Sequence, residues 1–182
     1  MGKTDKQTPK DIARMIRVDH AGEHGAVHIY RGQLAVFDRL ADKRDTAELI
    51  RHMQQQEQEH LETFDRLINE RRIRPTALAP AWEAAGFLLG ATTALMGEKA
   101  AMACTAAVEE VIDDHYAEQI DSLTATGEEK ELVKTITKFR ADEADHRDTA
   151  LNHGAEQTPG YQLMRNVIRT GCQIAIKVSE KI

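Results

Sequence analysis

The sequence predicts an all-α chain: a four-helix bundle made of two helical-hairpin repeats, plus an apolar connecting helix and a C-terminal amphipathic helix. Three observations carry that reading. Glu57-Gln58-Glu59-His60 returns as Glu143-Ala144-Asp145-His146, 86 residues later, and the same offset joins Glu23 to Glu109, Tyr30 to Tyr116 and Gln33 to Gln119. Apolar residues recur at helical spacing around each of these positions. Aromatic residues make up only 4% of the chain, while Gly and Pro gather at a few places, as helix ends and packing contacts require.

Residues 1–8 read as a flexible polar lead, and 9–182 as one domain. Its repeat halves lie at about 9–73 and 98–153, with an apolar segment at about 76–97 and the C-terminal helix at about 161–182. The first helix runs from about Pro9 to Leu40, its stripe being Ile12, Ile16, His20, Glu23, Val27, Tyr30, Leu34 and Phe37. Asp45, with Glu48 three residues on, offers an N-cap for the second. That helix carries Ile50, Met53, Glu57, His60, Leu61, Phe64 and Leu67 to about Arg71, and the run Arg71 to Pro75 ends it. From Ala84 to Gly97 no residue is charged. This stretch is short of the roughly 20 residues that span a bilayer. Glu98 and Lys99 interrupt it. Helix then resumes with small residues through Val108, into the stretch bearing Thr105, Glu109, Ile112, Tyr116 and Leu123. Thr126 with Glu129 reads as a capping box for the helix of Leu132, Ile136, Phe139, Glu143, His146 and Ala150. Gly154 to Gly160, with Pro159, is a break, and Tyr161 to Ile182 is the amphipathic close.

Composition narrows the function. A net charge of −6 leaves no basic footprint for nucleic acid. Cys104 and Cys172 sit on apolar helical stretches and read as buried small hydrophobes in a reducing compartment, not as a disulfide framework. No apolar run follows Lys3, Lys6 and Lys10, so no secretory signal is expected. A processed organellar chain would read the same way.

Glu and His at i and i+3 share a helix face and can reach one ion. Glu23 and Glu57 are equidistant from the turn expected at Ala41/Asp42, and Glu109 and Glu143 from the turn expected at Thr126-Gly127. In antiparallel hairpins such residues face each other at one height. Packed together, two hairpins then bring Glu23, Glu57, His60, Glu109, Glu143 and His146 into one layer, the arrangement of dinuclear carboxylate bundles. Four inward carboxylates without counter-charge would be very costly, and two divalent cations balance them. The absence of Cys argues against structural zinc. Carboxylates with two imidazoles suit Fe or Mn. A single Glu-x-x-His is usually a solvated pair; two copies at one offset, each with the same preceding Glu, point to metal.

Other side chains carry weaker signals. Tyr30 and Tyr116 lie two turns from Glu23 and Glu109, either as redox-active groups beside the metals or as core tyrosines with satisfied hydroxyls. His115 is a candidate proton donor beside Tyr116, though a structural role fits better. Asp142 is placed to orient His60 across the bundle, where the first half has only Gln56. His20, His24 and His28 recur every four residues without a Glu-x-x-His partner, and read as supporting or surface residues. His52 and His153 carry no signal. Gly22, Gly25 and Gly32 either leave room for dioxygen and a flat substrate or allow a close helix crossing. The uncharged Ala84–Gly97 stretch reads as a membrane-dipping wall that admits a lipid substrate, or else as a buried helix at a homo-oligomer contact.

Ile16-Arg17-Val18-Asp19-His20-Ala21-Gly22-Glu23, Arg74-Pro75-Thr76, Ala101-Met102-Ala103-Cys104-Thr105, Val108-Glu109-Glu110 and Gly171-Cys172 resemble the demethoxyubiquinone hydroxylase family of ubiquinone biosynthesis. The likeness runs from about Asp11 to the C-terminus. It implies a ferritin-like di-iron monooxygenase that inserts one atom of O₂ into the ring of a ubiquinone-precursor quinol. By motif, its iron ligands fall on Glu23, Glu57, His60, Glu109, Glu143 and His146. The resemblance also implies NADH as reductant in some members and a peripheral position on a membrane surface. That surface is the cytoplasmic side of a bacterial inner membrane or the matrix side of the mitochondrial one. A lipid-presenting accessory protein is implied as partner. His24 stands where a Tyr is frequent. A ferritin-like ferroxidase or peroxide scavenger, a tRNA hydroxylase and a non-enzymatic metal-stabilised protein remain the alternatives on the same bundle.

Overall fold

In the computed structural model, which describes residues 8–127 and 129–181, there are six α-helices, two 3₁₀ turns and no strand among the described residues. The helices are α1 (Pro9–Phe37), α2 (Arg44–Glu70), α3 (Ala79–Leu95), α4 (Glu98–Thr126), α5 (Lys130–Asn152) and α6 (Tyr161–Ser179). Helices α1 and α2 form one antiparallel hairpin and α4 and α5 the other; α3 lies along α1 on the outside of the bundle and α6 along α4. This is the all-α, ferritin-like bundle that the repeat predicts.

Helix ends depart from expectation in instructive ways. Of the lead 1–8 only Thr8 lies within the described residues, and it caps α1. Its hydroxyl accepts from the Asp11 N–H while the Asp11 carboxylate accepts from the Thr8 N–H, a capping box in which Asp replaces the usual Glu. The N-cap expected at Asp45 is not there. A 3₁₀ turn, Ala41–Lys43, leads directly into α2 from Arg44, and Asp45 sits inside the first turn, where its charge suits the helix dipole. Thr126 does not cap α5 either. It is the last residue of α4, its hydroxyl donates to the Leu123 carbonyl, and Gly127 ends the helix at φ 68°. Glu129 is instead held by Arg71 at 2.8 and 3.0 Å, which ties the two hairpins at that end. Helix α4 starts at Glu98, so the interruption falls at Met96–Gly97, where Gly97 takes φ 115°.

Two apolar clusters fill the bundle, on either side of a polar layer. One holds Tyr30, Leu34, Phe37, Ile50, Met53 and Met102; the other holds Ile16, Phe64, Tyr116, Leu123, Ile136 and Phe139. The outer helices dock differently. Helix α3 meets α1 through Gly32, Gly86 and Gly90, where a Cβ at any of the three would run into facing backbone. Helix α6 is held to α4 by Arg165 and Arg169, both paired with Glu110. At the far end, Trp82 Nε1 donates to Ser179 Oγ at 3.1 Å and joins α3 to α6.

Between α1, α3, α4 and α6 lies an apolar groove of about 400 Å³, lined among others by Gly22, Gly25, Trp82, Leu89, Val108 and Cys172. The three glycines of α1 thus divide between their two readings. Gly32 serves a close crossing and Gly22 the groove, while Gly25 serves both: its backbone faces Gly86 at the crossing, but a Cβ on it, as on Gly22, would meet only open space, and both line the groove. Cys104 is buried and burial pushes its thiol up to about 12; Cys172, at the groove, rises to about 11 for the same reason. Both are free thiols, in keeping with apolar use. Phe87, Leu88, Leu95 and Met96 of the α3 region and Leu163, Val167 and Ile174 of α6 are exposed, and Val167 also lines the groove. Among the described residues, no helix is long and apolar enough to cross a membrane.

Candidate metal centre

Helical periodicity alone turns Glu23, Glu57, His60, Glu109, Glu143 and His146 inward, and all six are at most 1% exposed. They fall into two overlapping groups whose donor atoms lie within 4.8 Å of one another: Glu23, Glu57, His60 and Glu143; and Glu57, Glu109, Glu143 and His146. Each group has one imidazole and one carboxylate of its own. Glu57 and Glu143 belong to both, which the linear spacing does not reveal. Glu23 Oε2, both oxygens of Glu57 and Glu143, Glu109 Oε2, and Nδ1 of His60 and His146 are buried and face only one another, His146 Nδ1 2.9 Å from Glu57 Oε1 and His60 Nδ1 3.2 Å from Glu143 Oε1, without aligned hydrogen bonds. Buried polar atoms are normally satisfied, so donor atoms left open toward one point fit a pair of cations.

The remaining atoms are held from behind, by contacts that repeat with the sequence. Tyr116 donates to Glu23 Oε1 at 2.5 Å, and Tyr30 donates to Glu109 Oε1 at 2.7 Å. Each hairpin therefore fixes a carboxylate of the other. His60 Nε2 meets Asp142 Oδ2 at 3.1 Å, and His146 Nε2 meets Gln56 Oε1 at 3.1 Å, leaving each Nδ1 toward the layer. Gln33 donates to Thr105 Oγ1, and Gln119 to Asp19 Oδ1, again at matching positions. His115 lies off the layer. Its Nε2 is 3.3 Å from Asp19 and 2.8 Å from Gln119 Nε2.

Burial and mutual contact set the charge within the layer. Burial, then the neighbouring Glu57, pushes the Glu23 carboxyl well above its usual range; burial and Glu143 do the same to Glu109. Burial would raise Glu57 too, but the close imidazoles of His146 and His60 hold it below the usual range. Burial opposes charge on the imidazoles, yet contacts with Glu143 and Glu57 override it, raising His60 to about 12 and His146 to about 11. Burial also pushes Tyr30 and Tyr116 well up, so both phenols remain donors.

His20, His24 and His28 lie apart from the layer. His20 Nε2 is 2.8 Å from Asp65, and His24 Nδ1 is 3.0 Å from Glu83.

A family model described as "Ubiquinone biosynthesis protein COQ7" matches residues 10–179. The chain is 52% identical over 171 residues to a 3-demethoxyubiquinol 3-hydroxylase of Rhodospirillum rubrum, covering 94% of this chain and 78% of that protein. It is 47% identical to the human protein named NADPH-dependent 3-demethoxyubiquinone 3-hydroxylase, mitochondrial, over 94% of this chain and 78% of that one. It is 42% identical to the yeast 5-demethoxyubiquinone hydroxylase, mitochondrial, with 94% and 78% covered.

Proposed function

The chain belongs to the COQ7 family of ubiquinone biosynthesis proteins, and we propose that it is a di-iron monooxygenase that hydroxylates the ring of demethoxyubiquinol with O₂. One observation carries the reading most: two four-residue donor groups share Glu57 and Glu143, with their inward atoms buried and without aligned hydrogen bonds. Glu23 and His60 would hold one iron, Glu109 and His146 the other, and Glu57 and Glu143 would bridge. The bound ions supply the redox chemistry that activates O₂.

The chain's own residues do the rest. Tyr116 and Tyr30 hold the outer carboxylates in one orientation, and Asp142 and Gln56 fix the imidazole rings. The apolar groove takes the quinol. Gly22 beside Glu23, and Val108 beside Glu109, bring its floor against the carboxylate layer. Val167 of its lining is exposed, as are other apolar side chains of the same two outer helices, α3 and α6, so a membrane surface is where a water-insoluble quinol would be taken up. One oxygen atom enters the ring and the other leaves as water, which requires two electrons from outside. A reduced nicotinamide is the donor class that fits, since several relatives are named NADPH-dependent. No Gly-x-Gly-x-x-Gly fingerprint appears in the sequence. The test is mass analysis of the quinone after iron-loaded protein is incubated with demethoxyubiquinol, reductant and ¹⁸O₂. The expected product is heavier by one labelled oxygen. Unchanged quinone alongside steady loss of iron(II) or peroxide would instead indicate a ferroxidase or scavenger.

A further inference from the structure

We propose that His20, His24 and Asp65 form a separate site for one divalent transition metal, with zinc the best match, outside the carboxylate layer. The donor atoms of these three residues lie within 4.8 Å of one another, and none of the three belongs to either group in the layer. His20 and His24 stand one turn apart on α1, with ring centroids 4.6 Å apart and planes at 82°. Two imidazoles at i and i+4 on one helix face are a zinc-binding spacing, provided a third ligand comes from elsewhere. Asp65 of α2 supplies it, with Oδ1 2.8 Å from His20 Nε2. Ligand atoms on a tetrahedral zinc with bonds of about 2.1 Å sit about 3.4 Å apart, so a small opening of that contact admits the ion.

The second nitrogen of His24 supports the assignment. His24 Nδ1 lies 3.0 Å from Glu83 Oε1 of α3 without the alignment of a hydrogen bond. A carboxylate facing one imidazole nitrogen leaves the other for metal, the carboxylate–histidine–metal relay common around bound zinc. Two neutral imidazoles and a carboxylate suit zinc better than the harder ions that prefer all-oxygen ligands. Water completes the fourth position. The ion would then join α1, α2 and, through Glu83, the start of α3, beside the groove wall.

The experiment uses the full, iron-loaded protein equilibrated with Zn²⁺, cleared of free metal, with zinc and iron counted together by plasma mass spectrometry. About one zinc per chain is expected with iron unchanged. Asp65→Asn and His24→Gln, tested separately, should each weaken zinc binding by about tenfold or more while keeping iron. Asp65 is half-exposed, so its variant should fold normally. Zinc that enters only by displacing iron, no zinc on the wild-type protein, or unchanged zinc binding in both variants would each overturn the proposal.

Discussion

The hairpins α1–α2 and α4–α5 treat the inside of the bundle alike and the outside differently. Inside, each contributes a Glu, a Glu-x-x-His and a Tyr that clamps the other's carboxylate. Behind these donors the match loosens: Asp142 stands behind His60, but the amide of Gln56 stands behind His146. Outside, it is lost. Helix α3 docks on α1 through glycine backbone contact, and α6 docks on α4 through charge. The equivalent positions 24 and 110 both reach the outer helix, His24 to Glu83 and Glu110 to Arg165 and Arg169, with opposite chemistry. A shared pair of cations would constrain both halves to the same donors, while each outer helix answers to a different neighbour.

The largest effects should come from breaking the shared ligands. Glu143→Ala removes a carboxylate common to both groups, and iron content should fall close to zero. Glu109→Ala removes one from a single group and should leave about one iron per chain, since the His60 side keeps its donors. Equal iron in the two variants, read by metal analysis, would break the distinction between bridging and terminal carboxylates.

Gly90→Ala comes next. Its methyl would meet the Ile29 carbonyl, and overpacking of that kind costs roughly 1–3 kcal/mol. Glu110→Gln on the opposite helix should cost about 1 kcal/mol or less, because its arginine pairs are partly solvated. Denaturant unfolding of both variants measures the contrast between the two docking modes.

Asp142→Asn should weaken iron binding by about tenfold, and Gln56→Ala by less, because a carboxylate raises imidazole basicity more than an amide does. The pH dependence has a fixed sign. In the metal-free layer His60 and His146 are protonated up to about 12 and 11, so ions must displace both protons. Metal binding therefore weakens as pH falls, and calorimetry in buffers of different ionisation enthalpy should register proton release. The smallest effects belong to the tyrosines. Tyr116→Phe and Tyr30→Phe should each keep iron and lose about 1 kcal/mol of stability, the worth of one buried hydrogen bond. Turnover measured beside metal content would separate a role in the reaction from simple orientation of Glu23 and Glu109.

The inward layer was legible in the sequence because one offset repeats through ligands, tyrosines and glutamines, and helical periodicity converts that offset into shared height. The Asp142–His60 contact was legible from the place of Asp142 just before Glu143, although the repeat has Gln56 at the matching position. Cap positions were not. Asp45 and Thr126 satisfy the capping pattern, but a 3₁₀ turn and Gly127 set the boundaries instead, and local signals of about 1 kcal/mol yield to such chain geometry. The Thr8–Asp11 cap could have been found by allowing Asp in the place of Glu.

By itself, the sequence determined the helical class, the two hairpins and the six inward donors, because these follow from spacing along a helix of known pitch, and it carried the family likeness in motif strings such as Val18 to Glu23. Only the tertiary structure decided that Glu57 and Glu143 are common to both donor groups and that each tyrosine clamps the opposite hairpin. It alone separated Gly32, at a helix crossing, from Gly22, at an open groove, and it alone brought Asp65 to His20 and Glu83 to His24. These are contacts between helices, and they depend on how the hairpins and outer helices rotate and approach one another, which periodicity within any one helix leaves free.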